Sequence, residues 1–281
     1  MNDMYGHHIE HFHCMAHRLE LVVDDALKAV TSTNHFQSFI AALHSLYSQS
    51  TKCENELRAA AVETETQLLR IKGIFTVRWV ASSFRAVRAV WKDFVALTAH
   101  FEYASKDSGR SRSERRKFVG LKSKLTSVNF LRDLAMMKDV LREISALSLM
   151  LQRRHISVTE AVSAVDSTLR ILTTLKQHDG QSTRKLNASL NSSSENETPI
   201  FKGTTLENEG KAGINKMQFV QAVLDAMKQR FGEHSRQFVQ ELSVLDPTSW
   251  PTDDTRLVYG DDEVLRLCKK HGLSSRTVLE Q

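Results

Sequence analysis

Residues 14–30 read CMAHRLELVVDDALKAV, and this stretch decides the fold class. It contains neither glycine nor proline. Its apolar residues recur at every third or fourth position, namely Met15, Leu19, Val22, Ala26 and Val30. This spacing places them on one face of an α-helix. The sequence therefore predicts an amphipathic helix with one buried stripe.

The same periodicity continues along most of the chain. It predicts further helices at 34–47, 51–70, 82–97, 134–151, 158–172, 217–231, 235–245 and 261–271. Only 3 Pro and 11 Gly occur in 281 residues, whereas average usage is roughly 5% and 7%. The helical pattern breaks at 74–80, where IFTVRWV favours a short strand or extended segment. We therefore expect a mainly α, multi-helix fold with at most that one extended segment.

Composition divides the chain into four parts. Residues 1–13 are expected to be a disordered or remnant N-terminus, and 14–180 a helical region. Residues 181–215 are rich in Ser, Asn, Thr, Glu and Gly, and their few large apolar side chains predict a flexible linker. Residues 216–281 are expected to form a C-terminal helical segment that packs on the first region.

Charge and cysteine content limit the class of protein. Lys and Arg number 38 against 33 Asp and Glu, a net charge of +5 that permits a polyanionic partner without demanding one. The three cysteines are too few for a disulfide framework. No apolar run reaches the ~18 residues that cross a bilayer. We expect a soluble intracellular protein with no membrane partner.

Histidine and cysteine are concentrated near the N-terminus. Cys14 and His17 lie three residues apart, which puts a thiol and an imidazole on one helix face. A structural zinc site needs about four such ligands, and the sequence contains no CxxC or second half. A buried helix turn with solvated histidines explains the motif without a metal. Cys14 and His17 could also form a catalytic thiolate pair, but the sequence shows no acid at a spacing that would orient the histidine. We expect no metal, no cofactor and no catalytic residue.

Two other features suggest nucleic-acid binding. Arg78 can neutralise a phosphate and Trp79 can stack on an unpaired base, although a core tryptophan beside a surface arginine gives the same pattern. The stretch 106–124 contains eight basic and two acidic residues. It is typical of a phosphate-binding patch, of a nuclear import signal at RSRSERRK, or of a solvated loop. Its candidate phosphate contacts are Arg110, Arg112, Arg115, Arg116 and Lys117.

Three strings in this order carry a resemblance to a known family. They are HCMAHRLELVVDDALK at 13–28, TVRWVASSFRAVRAVWKDFVAL at 76–97 and LDPTSWPTDDTRLVYGDDEV at 245–264. They resemble the region after the second catalytic aspartate of hAT-superfamily DNA transposases. More closely, they resemble domesticated vertebrate relatives of these enzymes that carry zinc-finger or SUMO-ligase-like regions. The resemblance covers nearly the whole chain.

The resemblance implies a particular origin for each motif. In the family, an RNase H-like core is interrupted by a helical insertion domain, and this chain is similar to that insertion domain with a stub of the core. Cys14 and His17 match the C/DxxH motif near the active site. Arg78 and Trp79 match the RW motif, whose tryptophan stabilises a flipped base. The three metal-binding acids of the family belong before Cys14 and beyond the last residue, so we expect a fragment that lacks them.

These observations lead to a functional expectation. We expect a noncatalytic transposase-derived protein of the nucleus that associates with nucleic acid or chromatin, with DNA and nuclear proteins as its partners. The alternative is a helical protein-interaction scaffold without nucleic-acid binding, which would present a contiguous exposed apolar surface. An active transposase or nuclease is disfavoured because two-metal phosphoryl transfer requires its carboxylates.

Overall fold

The computed structural model describes residues 14–69, 79–191, 198–232, 241–247, 250–257 and 259–274. Within these ranges the chain is mainly α-helical, which confirms the predicted fold class. The helices are α1 (Met15–Ala29), α2 (Asn34–Gln49), α3 (Thr51–Glu63), α4 (Trp79–Lys92), α5 (Phe94–Lys106), α6 (Arg112–Leu125), α7 (Val128–Leu151), α8 (Val158–Gln177), α9 (Gln181–Asn191), α10 (Lys216–Arg230) and α11 (Asp261–His271). Strands β1 (Ile200–Phe201) and β2 (Thr204–Thr205) form an antiparallel hairpin. Among the described helices, none combines the length and the apolar character needed to cross a membrane.

Helix α7 forms the centre of the core. Buried side chains occur on all sides of its 24 residues, as expected for a helix that is enclosed by other helices. It packs against α1, α4, α6, α8 and α9. Four polar side chains of α7 are therefore also held inside the protein, where each needs a partner: Asp133, Asp139, Ser145 and Ser148.

Helix α1 packs against α10, which comes about 200 residues later in the chain. The stripe predicted for α1 includes Leu19 and Val22, and both side chains are fully buried. At the edge of this contact, the guanidinium of Arg230 donates two hydrogen bonds, of 2.9 and 2.7 Å, to Oδ2 of Asp25. Helix α10 also packs on α8, so the early and late parts of the chain share one core.

Two buried aspartates of α7 bind backbone N–H groups of the segment that follows α8. Oδ1 of Asp133 accepts the N–H of Ile214 at 2.7 Å. The Asp139 carboxylate accepts the N–H groups of Ser182 at 2.8 Å and Thr183 at 2.9 Å, which lie in the first turn of α9. These bonds satisfy free donors at the helix start. The two carboxylates thereby hold the start of α9 and the backbone at Ile214 against the core.

The structure differs from the predicted flexible linker at 181–215. Residues 181–191 form α9, and 200–205 form the hairpin, while 192–197 lie outside the described residues. The segment has few large apolar side chains, but four of them are buried: Leu186, Phe201, Leu206 and Ile214. Composition predicted a linker because it does not reveal that carboxylates of α7 bind the backbone of this segment.

The region before α4 also differs from expectation. Helix α3 ends at Glu63 instead of near residue 70, and Glu65 has a φ of +50°. The N–H of Leu69 then donates to the buried carboxylate of Asp93 at 2.9 Å. Residues 70–78 lie outside the described residues, as do 1–13, so the structure does not test most of the predicted extended segment or the predicted N-terminal part. Its last two residues, Trp79 and Val80, are the first two residues of α4.

Two predicted helix boundaries are confirmed. Ser157 and Glu160 form the reciprocal cap that starts α8. Helix α11 ends before Gly272, whose φ of +66° lies in the left-handed region that favours glycine. These local signals are strong because they depend on neighbouring residues only.

Candidate nucleic-acid interface

Most of the predicted basic patch folds as helix α6. Its start is fixed by a reciprocal cap, in which Oγ of Ser111 accepts the N–H of Glu114 at 3.2 Å and the Glu114 carboxylate accepts the N–H of Ser111 at 2.9 Å. Three apolar side chains form the inward face: Phe118, Leu121 and Leu125. Since these residues fall on one side, the charged residues of α6 turn outward.

The N-terminal half of α6 presents four cationic side chains. Arg112, Arg116 and Lys117 are exposed, and Arg115 is half-buried. None of the four forms an ion pair with a residue that the structure describes. Arg112 and Arg116 are four residues apart, so they share one outward ridge of the helix. We call these four residues the α6 cationic face.

The lysines in the C-terminal half of α6 make hydrogen bonds within the protein. Lys122 pairs with the carboxylates of Glu102 and Glu207, and these hydrogen bonds raise the pKa of Lys122. Lys124 donates to the carbonyl oxygen of His35. Cations near a helix N-terminus, by contrast, are disfavoured by about 0.3–1 kcal/mol each. Within the described residues, the α6 cationic face therefore has no ion-pair partner, and two of its cations, Arg112 and Arg115, lie in the first turn of the helix, where positive charge is unfavourable.

Arg110, which was predicted to contact phosphate, lies inside the protein instead. Its side chain is only 5% exposed and pairs with the carboxylate of Glu56. Its Nε lies 3.4 Å from Oδ2 of Asp107, and its Cζ lies 4.7 Å from the centre of the Phe118 ring. A guanidinium enclosed in this way cannot reach a nucleic-acid backbone, so Arg110 is removed from the candidate interface.

Arg110 belongs to a buried polar network that we call the Glu56 network, made of Tyr47, Cys53, Glu56, His100 and Arg110. Nε2 of His100 lies 3.0 Å from the Glu56 carboxylate, and Nδ1 lies 2.8 Å from the Tyr47 hydroxyl. Because a carboxylate only accepts, Nε2 carries the hydrogen and Nδ1 accepts from the tyrosine. Burial lowers the pKa of His100 and raises the pKa of Tyr47 well above its usual value. The imidazole is therefore held neutral.

The Glu56 network contains one group of three potential metal ligands within the described ranges. The ligand atoms of Cys53, Glu56 and His100 lie within 4.8 Å of one another. However, Nη2 of Arg110 contacts the Glu56 carboxylate and lies 3.9 Å from Sγ of Cys53. A metal ion would have to bind beside this permanent positive charge and displace hydrogen bonds that are already made. The arrangement fits a structural network better than a metal centre.

The two motifs of the family resemblance occur on neighbouring helices. Cys14 is an exposed free thiol just before α1, and His17 is exposed in the first turn. Trp79 is the first residue of α4, whereas Arg78 lies outside the described residues. The carboxylate of Glu20 in α1 accepts the N–H of Val80 in α4 at 2.7 Å. This bond joins the helix that carries the CxxH motif to the helix that begins at the tryptophan of the RW motif.

No family model matches this chain, and no solved structure matches it. The resemblance to hAT transposases thus stays a prediction from the three sequence strings.

Sequence reasoning did not find a second group of cations, around Trp91. Lys138 of α7 and Lys202 of the β1–β2 turn both lie over its ring, at 5.2 and 5.7 Å. Neither residue belongs to a basic run in the sequence, so no local charge signal marks it. Only the packing of α4, α7, α9 and the hairpin brings these side chains together.

Proposed function

We propose that the protein is a noncatalytic, transposase-derived protein that associates with nucleic acid through the α6 cationic face. The observation that carries this proposal is the absence of an ion pair from Arg112, Arg115, Arg116 and Lys117 within the described residues. Phosphate groups of a DNA backbone would supply the missing negative charge.

The chemistry of the face suits backbone contact more than base recognition. Arginine binds phosphate oxygens with two parallel hydrogen bonds, and lysine binds them as a point charge. Contacts of this kind position a protein on DNA and carry little sequence information. We therefore expect salt-dependent binding with weak sequence preference. We also propose that the protein acts in the nucleus and does not cleave the DNA strand.

The first test removes the cations of the face. Relative to the wild type, the triple variant R112Q/R116Q/K117Q should bind a DNA hairpin roughly a hundredfold more weakly, because each lost phosphate contact contributes about 1 kcal/mol. The slope of log affinity against log salt should also fall by about 0.9 for each lost contact on duplex DNA. Fluorescence anisotropy across a salt series measures both quantities.

The matched control removes three exposed cations elsewhere. R153Q/R154Q/K228Q loses the same charge from positions after α7 and on α10, which are also exposed. It should retain most of the wild-type affinity and salt slope. Equal losses of DNA affinity in the two triple variants would mean that binding depends only on net charge, and would contradict a specific α6 interface. Binding to nuclear proteins that persists after nuclease treatment, with no DNA binding, would instead favour the scaffold alternative.

A second test concerns Trp79. Trp79→Ala should weaken binding to single-stranded DNA by about 1–3 kcal/mol, the contribution of one base stacked on an aromatic ring. It should affect perfectly paired duplex much less, because paired bases are not available for stacking. Trp250→Ala removes a 40% exposed indole from another region and serves as the control. If both single-stranded and duplex affinities are unchanged in Trp79→Ala, the stacking role of the RW motif is wrong.

A further inference from the structure

The cations around Trp91 form a second charged surface that is separate from α6. It contains Lys138 of α7 and Lys202 of the β1–β2 turn, which lie over the ring, together with Arg88, one turn before Trp91 on α4, and Lys185, one turn after the Ser182 hydroxyl that Lys138 contacts on α9. We call these four residues the Trp91 cation cluster. They come from four segments of the chain, so only the folded protein assembles them.

The two lysines of the cluster that lie nearest Trp91 make hydrogen bonds to neutral groups only. Nζ of Lys138 donates to Oγ of Ser182 at 2.7 Å. Nζ of Lys202 donates to the backbone carbonyl of Trp91 and, at 3.5 Å, to that of Lys92. A lysine ammonium has three donors, so both residues retain donors for a further acceptor. Both ammonium groups also lie within 6 Å of the centre of the Trp91 ring, at 5.2 and 5.7 Å.

The carboxylates in this region are already occupied. Asp139 binds the backbone N–H groups that start α9, and Asp93 binds the N–H of Leu69. Glu143 pairs with Arg142 at 2.7 Å. Within the described residues, no carboxylate lies within 4 Å of the charged atoms of Arg88, Lys138, Lys185 or Lys202. The positive charges of the cluster are therefore not neutralised by ion pairs.

This arrangement has an electrostatic cost. Lys202 is exposed as a whole residue, but partial desolvation of its ammonium beside the Trp91 and Phe201 rings lowers its pKa to about 8, only partly offset by the charge of Asp93. Burial also lowers the pKa of Lys138, and the positive charges of Arg142, Lys185 and Arg88 lower it further, against the opposing effect of Asp139. Like charges gathered without a counterion reduce stability. A bound anion would relieve both the repulsion and the unused hydrogen-bonding capacity.

We propose that the Trp91 cation cluster is a binding site for a phosphate group. Lys138 and Lys202 would donate to its oxygens from beside the indole, and Arg88 and Lys185 would close the site from the exposed side. A nucleic-acid backbone and a free phosphate compound present the same oxygens to this site, and the experiment below distinguishes the two sources. This proposal does not depend on the α6 cationic face.

Inorganic pyrophosphate is the probe for the test. Isothermal titration at low ionic strength should give saturable binding to the wild-type chain, beyond the effect of KCl at the same ionic strength. R88Q/K185Q replaces two exposed cations that have no ion-pair partner within the described residues. It should bind pyrophosphate at least about tenfold more weakly, because each charge-assisted hydrogen bond is worth roughly tenfold or more. Without ligand it should unfold at a slightly higher temperature than the wild type, because repulsion is relieved.

Three comparisons complete the design. R153Q/R154Q loses two exposed charges elsewhere and should bind pyrophosphate like the wild type. R112Q/R116Q/K117Q should retain the saturable pyrophosphate site that R88Q/K185Q loses, so failure of the α6 proposal and failure of this one are distinguishable. If R88Q/K185Q also loses DNA affinity, the phosphate belongs to a nucleic-acid backbone, whereas unchanged DNA affinity assigns the site to a free phosphate compound. Absence of saturable binding, or equal binding by R88Q/K185Q and the wild type, would overturn the proposal.

Discussion

Arg110→Met should lower the free energy of unfolding by about 3 kcal/mol, because it leaves the Glu56 carboxylate without its main cationic partner. Methionine retains much of the side-chain volume beside Phe118, so the loss is chiefly electrostatic. Urea unfolding at pH 7 measures the effect. Arg112→Met removes the same charge from an exposed position two residues away and should change stability by less than about 0.5 kcal/mol.

A double variant tests whether Glu56 and Arg110 stabilise the protein as a pair. Glu56→Gln combined with Arg110→Met should recover part of the lost stability, because replacing both charges costs less than stranding one. Measured below its unfolding transition, Arg110→Met should keep wild-type DNA affinity, since this guanidinium is enclosed. Equal stabilities of Arg110→Met and Arg112→Met would mean that the Glu56 network contributes little to the fold.

Asp93→Asn should remove a large pH dependence of stability. Burial raises the pKa of Asp93 to about 6 from an ordinary value of 3.8. The folded chain thus binds this proton more tightly than the unfolded chain does. The contribution of Asp93 to stability is complete below pH 3.8 and is lost as the pH rises through 6. A shift of about two pKa units corresponds to roughly 3 kcal/mol.

The measurement compares two pH values for each variant. Between pH 4 and pH 8, the stability of Asp93→Asn relative to the wild type should rise by roughly 2.5 kcal/mol, because asparagine stays neutral throughout and most of the effect of ionisation falls in this window. Asp225→Asn, at an exposed position of α10, controls for the loss of one surface charge. A difference that stays constant from pH 4 to pH 8 would contradict a raised pKa of Asp93.

The fold class was predictable because helix formation in this chain depends on local patterns. Three predicted features each depend on residues that are close together in the sequence: the apolar stripe of α1, the reciprocal cap at Ser157 and the end of α11 at Gly272. The end of α3 and the course of 181–215 were not predictable in this way. They depend on Asp93, Asp133 and Asp139, buried carboxylates that bind backbone groups far along the chain. Nothing in the local sequence distinguishes these aspartates from solvated ones.

The candidate interface was predictable in part for a similar reason. A run of basic residues marks Arg112, Arg116 and Lys117, but charge alone does not show that Arg110 turns inward to Glu56. The Trp91 cation cluster left no signal at all, because Lys138 and Lys202 meet only after α7 and the hairpin have packed. Charge runs predict solvated surfaces well, and predict charges assembled by tertiary packing poorly.

The contact between α1 and α10 has a consequence during synthesis. Asp25 and Arg230 are separated by 205 positions, and a ribosome that adds about 5–20 residues each second needs roughly 10–40 s to cover that distance. Until α10 has been synthesised, the apolar stripe of α1 lacks the helix that covers it in the folded protein. We therefore expect the nascent chain to bind general chaperones during this interval.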